Sequence, residues 1–122
     1  MNVEQSEYDF ETILQMFTRG DYEKVLRTAM PYAIAGNSSA QCMISLLYQN
    51  GFGVAKDMAE AERWLLLATE QDNAVAWNNL GTLYAVGGAG LLRGPDAANE
   101  CYLRAKDLGF SCAEPYPPGA KS

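Results

Sequence analysis

The sequence contains no histidine, and its three cysteines, Cys42, Cys101 and Cys112, lie far apart along the chain. Ser-His and Cys-His nucleophile pairs and histidine metal sites need a residue type that this chain lacks. An odd number of scattered cysteines also argues against a disulfide framework and does not provide the ligands of a zinc site. We therefore expect no enzyme activity, no metal and no cofactor. Cys42 is expected to be a small buried thiol, the alternative being a reactive thiol exposed on a binding surface.

Long apolar runs and a targeting segment are also missing. No apolar stretch approaches the roughly 18 residues that a membrane span requires. Residues 1–7 are acidic and contain neither the basic region nor the apolar region of a secretory signal. These features predict a cytoplasmic protein that does not associate with membranes.

Basic residues are scarce, with 9 against 15 acidic residues and a net charge of −6. The imbalance lies in residues 1–72, because residues 73–122 contain equal numbers of acids and bases. An acidic chain is repelled by nucleic acid, so we expect no nucleic-acid partner. The acidity favours a protein partner with a basic surface through electrostatic steering. The alternative is a solvated acidic surface that keeps the protein soluble.

Residues 40–68 form the segment around which the rest of the chain is organised, because much of it recurs. The first half recurs 36 positions later and the second half 37 positions later. The matching pairs are Ala40 and Ala76, Ile44 and Leu80, Leu47 and Leu83, Tyr48 and Tyr84, Ala61 and Ala98, and Ala68 and Ala105. A fixed period of this length, with small and aromatic residues recurring, is typical of a helical-repeat array.

Apolar residues at helical spacing predict six helices and no strands. The predicted helices cover residues 6–18, 22–35, 39–50, 58–71, 74–86 and 95–108. In the first helix, Phe10, Ile13, Leu14 and Phe17 form the expected core stripe, and Ser6 with Asp9 fits a capping box. The fold class is therefore all-α, a short α-solenoid of about three antiparallel helix pairs.

One position inside a helix and the starts of three helices carry specific predictions. Pro31 lies inside the second helix, where it is expected to cause a kink or a break. Ser38 and Gln41 fit a capping box for the third helix. Asp57 and Asn73 are expected to cap the fourth and fifth helices.

The predicted domain organisation is one helical-repeat domain followed by a tail. The domain covers residues 1–109, with an incomplete pair at 6–36, a repeat at 37–72 and a degenerate repeat at 73–109. Residues 110–122 contain Pro115, Pro117 and Pro118 and are expected to be an extended tail. The tail either lies over the last helix pair or is disordered.

Residues 40–71 resemble the Sel1-like repeat, a relative of the tetratricopeptide repeat. The elements that carry the resemblance are Tyr48, the loop Gly51-Phe-Gly53-Val54, Asp57 and the pattern Ala61-x-x-Trp64-x-x-x-Ala68. Ser45 stands where the repeat usually has glycine, which is a small-for-small change. The second copy is degenerate, since it has Cys101 in place of the tryptophan and extra glycines in its loop.

The resemblance implies an α-solenoid whose concave face binds proteins or peptides. Proteins of this family act as adaptors, assembly factors and regulators, and in some bacteria as immunity proteins against toxins. Our leading hypothesis is a non-enzymatic adaptor that binds a protein partner in the concave groove. The alternatives are an immunity-type inhibitor that neutralises a cognate bacterial toxin and a self-associating scaffold.

If the first helix of each pair lines the concave face, its positions outside the core are exposed there. The candidate partner-binding residues are Gln15, Arg19, Met43, Leu46, Gln49, Asn50, Asn78, Asn79 and Thr82. Met43 and Leu46 are predicted to form the apolar floor of the groove, the alternative being that neighbouring helices or the tail cover them. Asn79 matches the asparagine of tetratricopeptide carboxylate clamps. The lysines of those clamps have no counterpart here, so a receptor for C-terminal carboxylates is not expected.

Overall fold

The computed structural model describes residues 9–86 and 94–110, and these two ranges form six helices and no strand. The helices are α1 (Phe10–Thr18), α2 (Tyr22–Ile34), α3 (Ser38–Asn50), α4 (Met58–Thr69), α5 (Ala74–Val86) and α6 (Gly94–Asp107). Each helix packs mainly against the helices before and after it in the chain, and α3 also contacts α5. The predicted all-α solenoid of three helix pairs is confirmed. The predictions for the second glycine loop and for the tail beyond Phe110 lie outside the described residues.

Helices α2, α4 and α6 end in the same way. Each is followed by a residue in the left-handed region, and the next backbone N–H then donates to the carbonyl oxygen five residues back. The left-handed residues are Gly36, Asp72 and Gly109, and the donors that follow them are Asn37, Asn73 and Phe110. The same two asparagines accept the backbone N–H groups of Ala40 and Ala76 on their side-chain oxygens, at 2.9 and 3.0 Å. One residue therefore closes a helix pair and starts the next.

Asn37, rather than Ser38, caps α3, so the predicted capping box at Ser38 and Gln41 is wrong. The helical turn that ends α2 already places Asn37 at the capping position. Gln41 instead donates from Nε2 to the backbone oxygen of Ala33, at 3.1 Å. The predicted caps of α4 and α5 are confirmed, and Asp57 accepts the N–H of Glu60 at 3.0 Å.

Asp9 caps α1 by itself. Its carboxylate accepts the side-chain hydroxyl of Thr12 at 2.6 Å and the backbone N–H of Thr12 at 3.2 Å. Both hydrogen bonds favour the charged form and lower the pKa of Asp9. The helix begins at Phe10, four residues later than predicted, and Ser6 lies outside the described residues.

Pro31 does not break α2, which continues to Ile34. The proline lies in the last turn of the helix, where the bond that it removes, to the carbonyl of Arg27, is among the last of the helix. A break at this proline, one of the two predicted outcomes, is therefore wrong.

The core consists of two clusters that meet at α3. One cluster joins α1, α2 and α3 through Ile13, Val25, Ala29, Ile44 and Leu47, and the other joins α3 to α6 through Cys42, Leu65, Leu80, Leu83 and Ala98. Alanines at 61, 68, 76, 98 and 105 are fully or almost fully buried and allow neighbouring helices to approach closely. Helix α3 contributes to both clusters, which is why segment 40–68 organises the fold.

The core face of α1 differs from the predicted stripe. Ile13 and Met16 are buried, whereas Phe10 and Leu14 are 48% and 41% exposed. Because α1 packs mainly against α2, only a narrow strip of its surface is covered. In α5, the repeat-matched residues Ala76, Leu80, Leu83 and Tyr84 are all buried.

Two glycines allow helices and loops to approach closely. Gly53 has φ of +75°, and an added Cβ would lie 2.9 Å from the backbone carbon of Tyr22. The neighbouring Phe52 stacks on the Tyr22 ring with 4.3 Å between ring centroids, so the α3–α4 loop is attached to the start of α2. Between α5 and α6, a Cβ on Gly81 would lie 2.6 Å from the Tyr102 ring.

Candidate partner-binding surface

The first helices of the three pairs, α1, α3 and α5, contain the predicted binding residues except Arg19, which directly follows α1. On α3 and α5, equivalent positions are 36 residues apart, so their exposed side chains form matching rows. We define the first-helix surface as the following exposed or half-buried residues: Gln15 on α1 and Arg19 at its C-terminal end, Leu46, Gln49 and Asn50 on α3, and Val75, Asn79, Thr82 and Val86 on α5. Val75 and Val86 are 46% and 68% exposed and add apolar area at its two ends.

Two predicted binding residues are not on this surface. Met43 is only 6% exposed and packs in the core cluster with Ile44 and Leu47, so it is covered by neighbouring helices and does not form an open groove floor. Asn78 is likewise 6% exposed. Leu46 alone of the predicted apolar pair remains half-buried and accessible.

Three polar side chains of the surface use donors within the protein. Gln49 Nε2 donates to Ser45 Oγ at 3.2 Å, and Asn50 Nδ2 donates to the backbone oxygen of Leu46 at 3.0 Å. The Thr82 hydroxyl donates to the backbone oxygen of its own helix, one turn back, at 3.3 Å. The amide oxygens of Gln49 and Asn50 therefore remain available as acceptors, and each amide has one N–H donor engaged within the protein.

Two adjacent asparagines on α5 lack hydrogen bonds. Within the described residues, neither Asn78 nor Asn79 forms a side-chain hydrogen bond. Asn78 is almost buried and Asn79 is half-buried, so the amide of Asn79 is the more accessible of the two to a bound ligand.

Charge is nearly absent from the first-helix surface. Helices α3 and α5 contain no charged residue, although the chain has 9 basic and 15 acidic residues. At the C-terminal end of α1, Nε of Arg19 lies 3.8 Å from Oδ2 of Asp21, so the charge of Arg19 is partly balanced. The acidic excess of the chain is therefore located outside α3 and α5.

Two open depressions lie beside the N-terminal pair. The larger, about 530 Å³, lies at the start of α2 against Gly53, and the smaller, about 450 Å³, follows the exposed face of α1. Among the described residues, the smaller one is lined by Glu11, Leu14, Gln15, Thr18 and Arg19. The smaller depression thus contains Gln15 and Arg19, the two candidate binding residues of the N-terminal pair.

The two described thiols are buried and unpaired. Burial raises the pKa of Cys42 to about 12. Burial, with a smaller contribution from the charge of Glu100, raises the pKa of Cys101 to about 11. Thiols with such pKa values are poor nucleophiles at neutral pH, and the expectation that Cys42 is a buried thiol is confirmed.

The described parts of the chain contain neither a cluster of metal-ligating side chains nor a membrane-spanning helix. In residues 9–86 and 94–110, no group of three or more cysteine, aspartate or glutamate side chains is arranged to hold a metal ion. None of the helices in the same ranges is long and apolar enough to cross a membrane.

Sequence reasoning missed Val75 as a member of the surface. A signal for it was present, because Val75 lies 36 positions after Ser39, an exposed residue of α3. Reading the repeat register through to the first turn of each helix would have found it.

Comparison with known proteins agrees with this architecture. The sequence profile of the Sel1 repeat matches residues 38–73 and 74–110, which together make up more than half of the chain. The crystal structure of a Sel1 repeat protein from Oxalobacter formigenes is similar, with a TM-score of 0.70 and 31% sequence identity. The similarity covers 81% of this chain but 40% of the Oxalobacter protein, so this chain spans about two fifths of that length. A search of curated proteins gave no match.

Proposed function

The chain belongs to the Sel1 repeat family, and we propose that it is a non-enzymatic adaptor that binds a protein partner on the first-helix surface. In this proposal the surface is the concave face of the solenoid, the partner is a protein and not nucleic acid, and binding takes place in the cytoplasm. Sel1 repeats are generally protein–protein interaction modules, which is the family basis of the proposal.

The observation that carries the proposal is the chemistry around Leu46. This half-buried leucine lies one helical turn before Gln49 and Asn50, whose amide oxygens remain available. An apolar centre with polar acceptors at its edge is the usual composition of a protein-binding patch. On α5, Asn79 adds a half-buried amide that forms no side-chain hydrogen bond within the described residues.

The proposal is tested with a matched pair of variants, Leu46→Glu and Leu67→Glu. Both replace an accessible leucine, but Leu67 lies on α4 and is 43% exposed outside the first-helix surface. The tagged full chain is used to isolate partners from its native host, and the leading candidate is then purified and titrated by calorimetry. We expect Leu46→Glu to weaken binding at least tenfold, about 1.4 kcal/mol, and Leu67→Glu to leave it unchanged. Equal affinity of both variants for the purified partner would contradict the proposal.

The partner's properties decide between the adaptor and the toxin inhibitor. A partner that is encoded beside this gene and stops growth when expressed alone identifies the immunity function. A partner with neither property supports the adaptor. A basic surface on the partner is part of the sequence-based prediction and can be read from its sequence.

Self-association is a second candidate because both ends of the helix array expose apolar side chains. Phe10 and Leu14 are exposed on α1, and Leu103 is 62% exposed on α6. Light scattering at increasing protein concentration measures self-association directly, through the molar mass in solution. A constant monomer mass excludes the scaffold, whereas a mass that grows with concentration and falls in Leu103→Ser supports it.

A further inference from the structure

The exposed positions of α3 and α5 are neutral although the chain is rich in charge. At the chain average of 20% charged residues, these two 13-residue helices would carry about five charges, and they carry none. The exposed or half-buried positions instead contain serine, leucine, tyrosine, glutamine, asparagine, valine, alanine, tryptophan and threonine.

Burial does not explain this neutrality. Helix α4 is equally embedded, with about half of its residues buried, as in α3 and α5. Its accessible positions nevertheless include Glu60 and Arg63, which form an ion pair at 3.6 Å. Charge is therefore tolerated on an exposed helix face of this fold, and its absence from α3 and α5 is particular to those helices.

The neutral surface cannot compensate a charge brought by a partner. An ion that docks there loses water and gains no counter-ion, which costs free energy unless hydrogen bonds replace its hydration. An aliphatic side chain of the partner has no such desolvation cost, and burying Leu46, Val75 and Val86 against it lowers the free energy of the complex. The open amide oxygens of Gln49 and Asn50 and the half-buried amide of Asn79 are suited to neutral donors and acceptors such as peptide groups.

We propose that the segment bound on α3 and α5 is an uncharged stretch of a protein partner that carries aliphatic side chains. This inference rests on the proposed function and specifies the chemistry of its partner. It follows that the affinity at this surface depends little on ionic strength. In this proposal the acidic residues, which lie outside α3 and α5, influence the rate at which the partner approaches and not the affinity at this surface.

The test uses the full chain and a phage-displayed library of random peptides about 12 residues long. Enriched peptides are synthesised, and their Kd is measured by fluorescence polarisation at 25 and at 500 mM NaCl. We expect neutral peptides rich in leucine, isoleucine or valine, and a Kd that changes less than about twofold with salt, because screening acts only on charges. Leu46→Lys should weaken binding at least tenfold, and Leu67→Lys should not.

Circular dichroism and urea midpoints check that each variant is folded, and Val86→Lys replaces Leu46→Lys if that variant is not. Peptides that carry several charges, lose affinity in high salt and still depend on Leu46 would overturn this inference and leave the proposed function standing. If no enriched peptide depends on Leu46 or Val86, the inference and the proposed function fail together.

Discussion

The phenol of Tyr84 on α5 donates a hydrogen bond to Oε2 of Glu62 on α4, at 2.7 Å. Both residues are buried, with exposures of 9% and 8%, so the bond joins the two repeats inside the protein. A hydrogen bond to a carboxylate is stronger than one between neutral groups. This contact therefore sets the relative position of consecutive repeats.

Replacing Tyr84 by phenylalanine should destabilise the protein by about 1–3 kcal/mol, because the buried carboxylate loses a donor. Urea unfolding followed by circular dichroism measures the change. Tyr48→Phe is the control, since Tyr48 is half-buried at the equivalent position and its hydroxyl has no hydrogen bond within the described residues. We expect that variant to stay within about 0.5 kcal/mol of the parent. Equal losses in the two variants would refute a stabilising role of the bond.

Gly53→Ala and Gly20→Ala separate backbone strain from steric overlap. Both glycines have positive φ, +75° and +84°, but a Cβ would meet the Tyr22 backbone only at Gly53. Gly20→Ala should cost about 1 kcal/mol from the left-handed conformation alone. Gly53→Ala should cost about 1–3 kcal/mol more, because the loop must move away from α2. Thermal and urea unfolding of both variants checks the order, which a larger loss at Gly20 would contradict.

Gly81→Ala should destabilise the α5–α6 pair although alanine favours helices. A Cβ at this position would lie 2.6 Å from the Tyr102 ring and 3.0 Å from the backbone oxygen of Ala98. Overpacking of this kind lowers the free energy of unfolding by about 1–3 kcal/mol. The higher helix propensity of alanine raises it by at most about 1 kcal/mol.

A double-mutant cycle identifies the ring as the cause. Tyr102→Leu removes part of the obstruction, so Gly81→Ala should cost less in that background. An unchanged cost would show that Tyr102 is not the obstacle.

Stability should fall as pH rises above about 9, because the raised pKa of Cys42 means that the folded protein holds a proton that the unfolded chain loses. The sign follows from the thiolate, which forms readily in the unfolded chain and is disfavoured in the core. Between pH 8 and pH 10, Cys42 should account for a loss of about 1 kcal/mol. Urea midpoints at the two pH values measure it. Cys42→Ala should show a smaller drop, and an identical drop would assign the effect to other groups.

Most core positions of α3 to α6 were predictable from the sequence because the repeat supplies these helices as two matching pairs. Ala61, Leu80 and Ala98 recur at fixed spacing, and the same packing recurs with them. Prediction was weaker at α1, where Phe10 and Leu14 look like core residues but are exposed. Helical spacing shows which residues share a face of the helix. It does not show how much of that face a neighbouring helix covers.

The candidate site was only partly predictable for the same reason. Met43 and Leu46 are both apolar and three residues apart, yet Met43 is buried and Leu46 is accessible. The hydrogen bond between Tyr84 and Glu62 was also missed, since it joins residues 22 positions apart in the chain. Contacts of this kind depend on helix rotation, which the sequence pattern does not define.

The mainly sequential contacts between helices have a consequence for folding. Since each helix packs chiefly on its immediate neighbours in the chain, few contacts require distant segments to meet before structure can grow. Folding should therefore be fast and should spread from the central pair, where α3 belongs to both core clusters. Opening should proceed in the reverse order, so amide hydrogens of α1 should exchange with solvent well before those of α3.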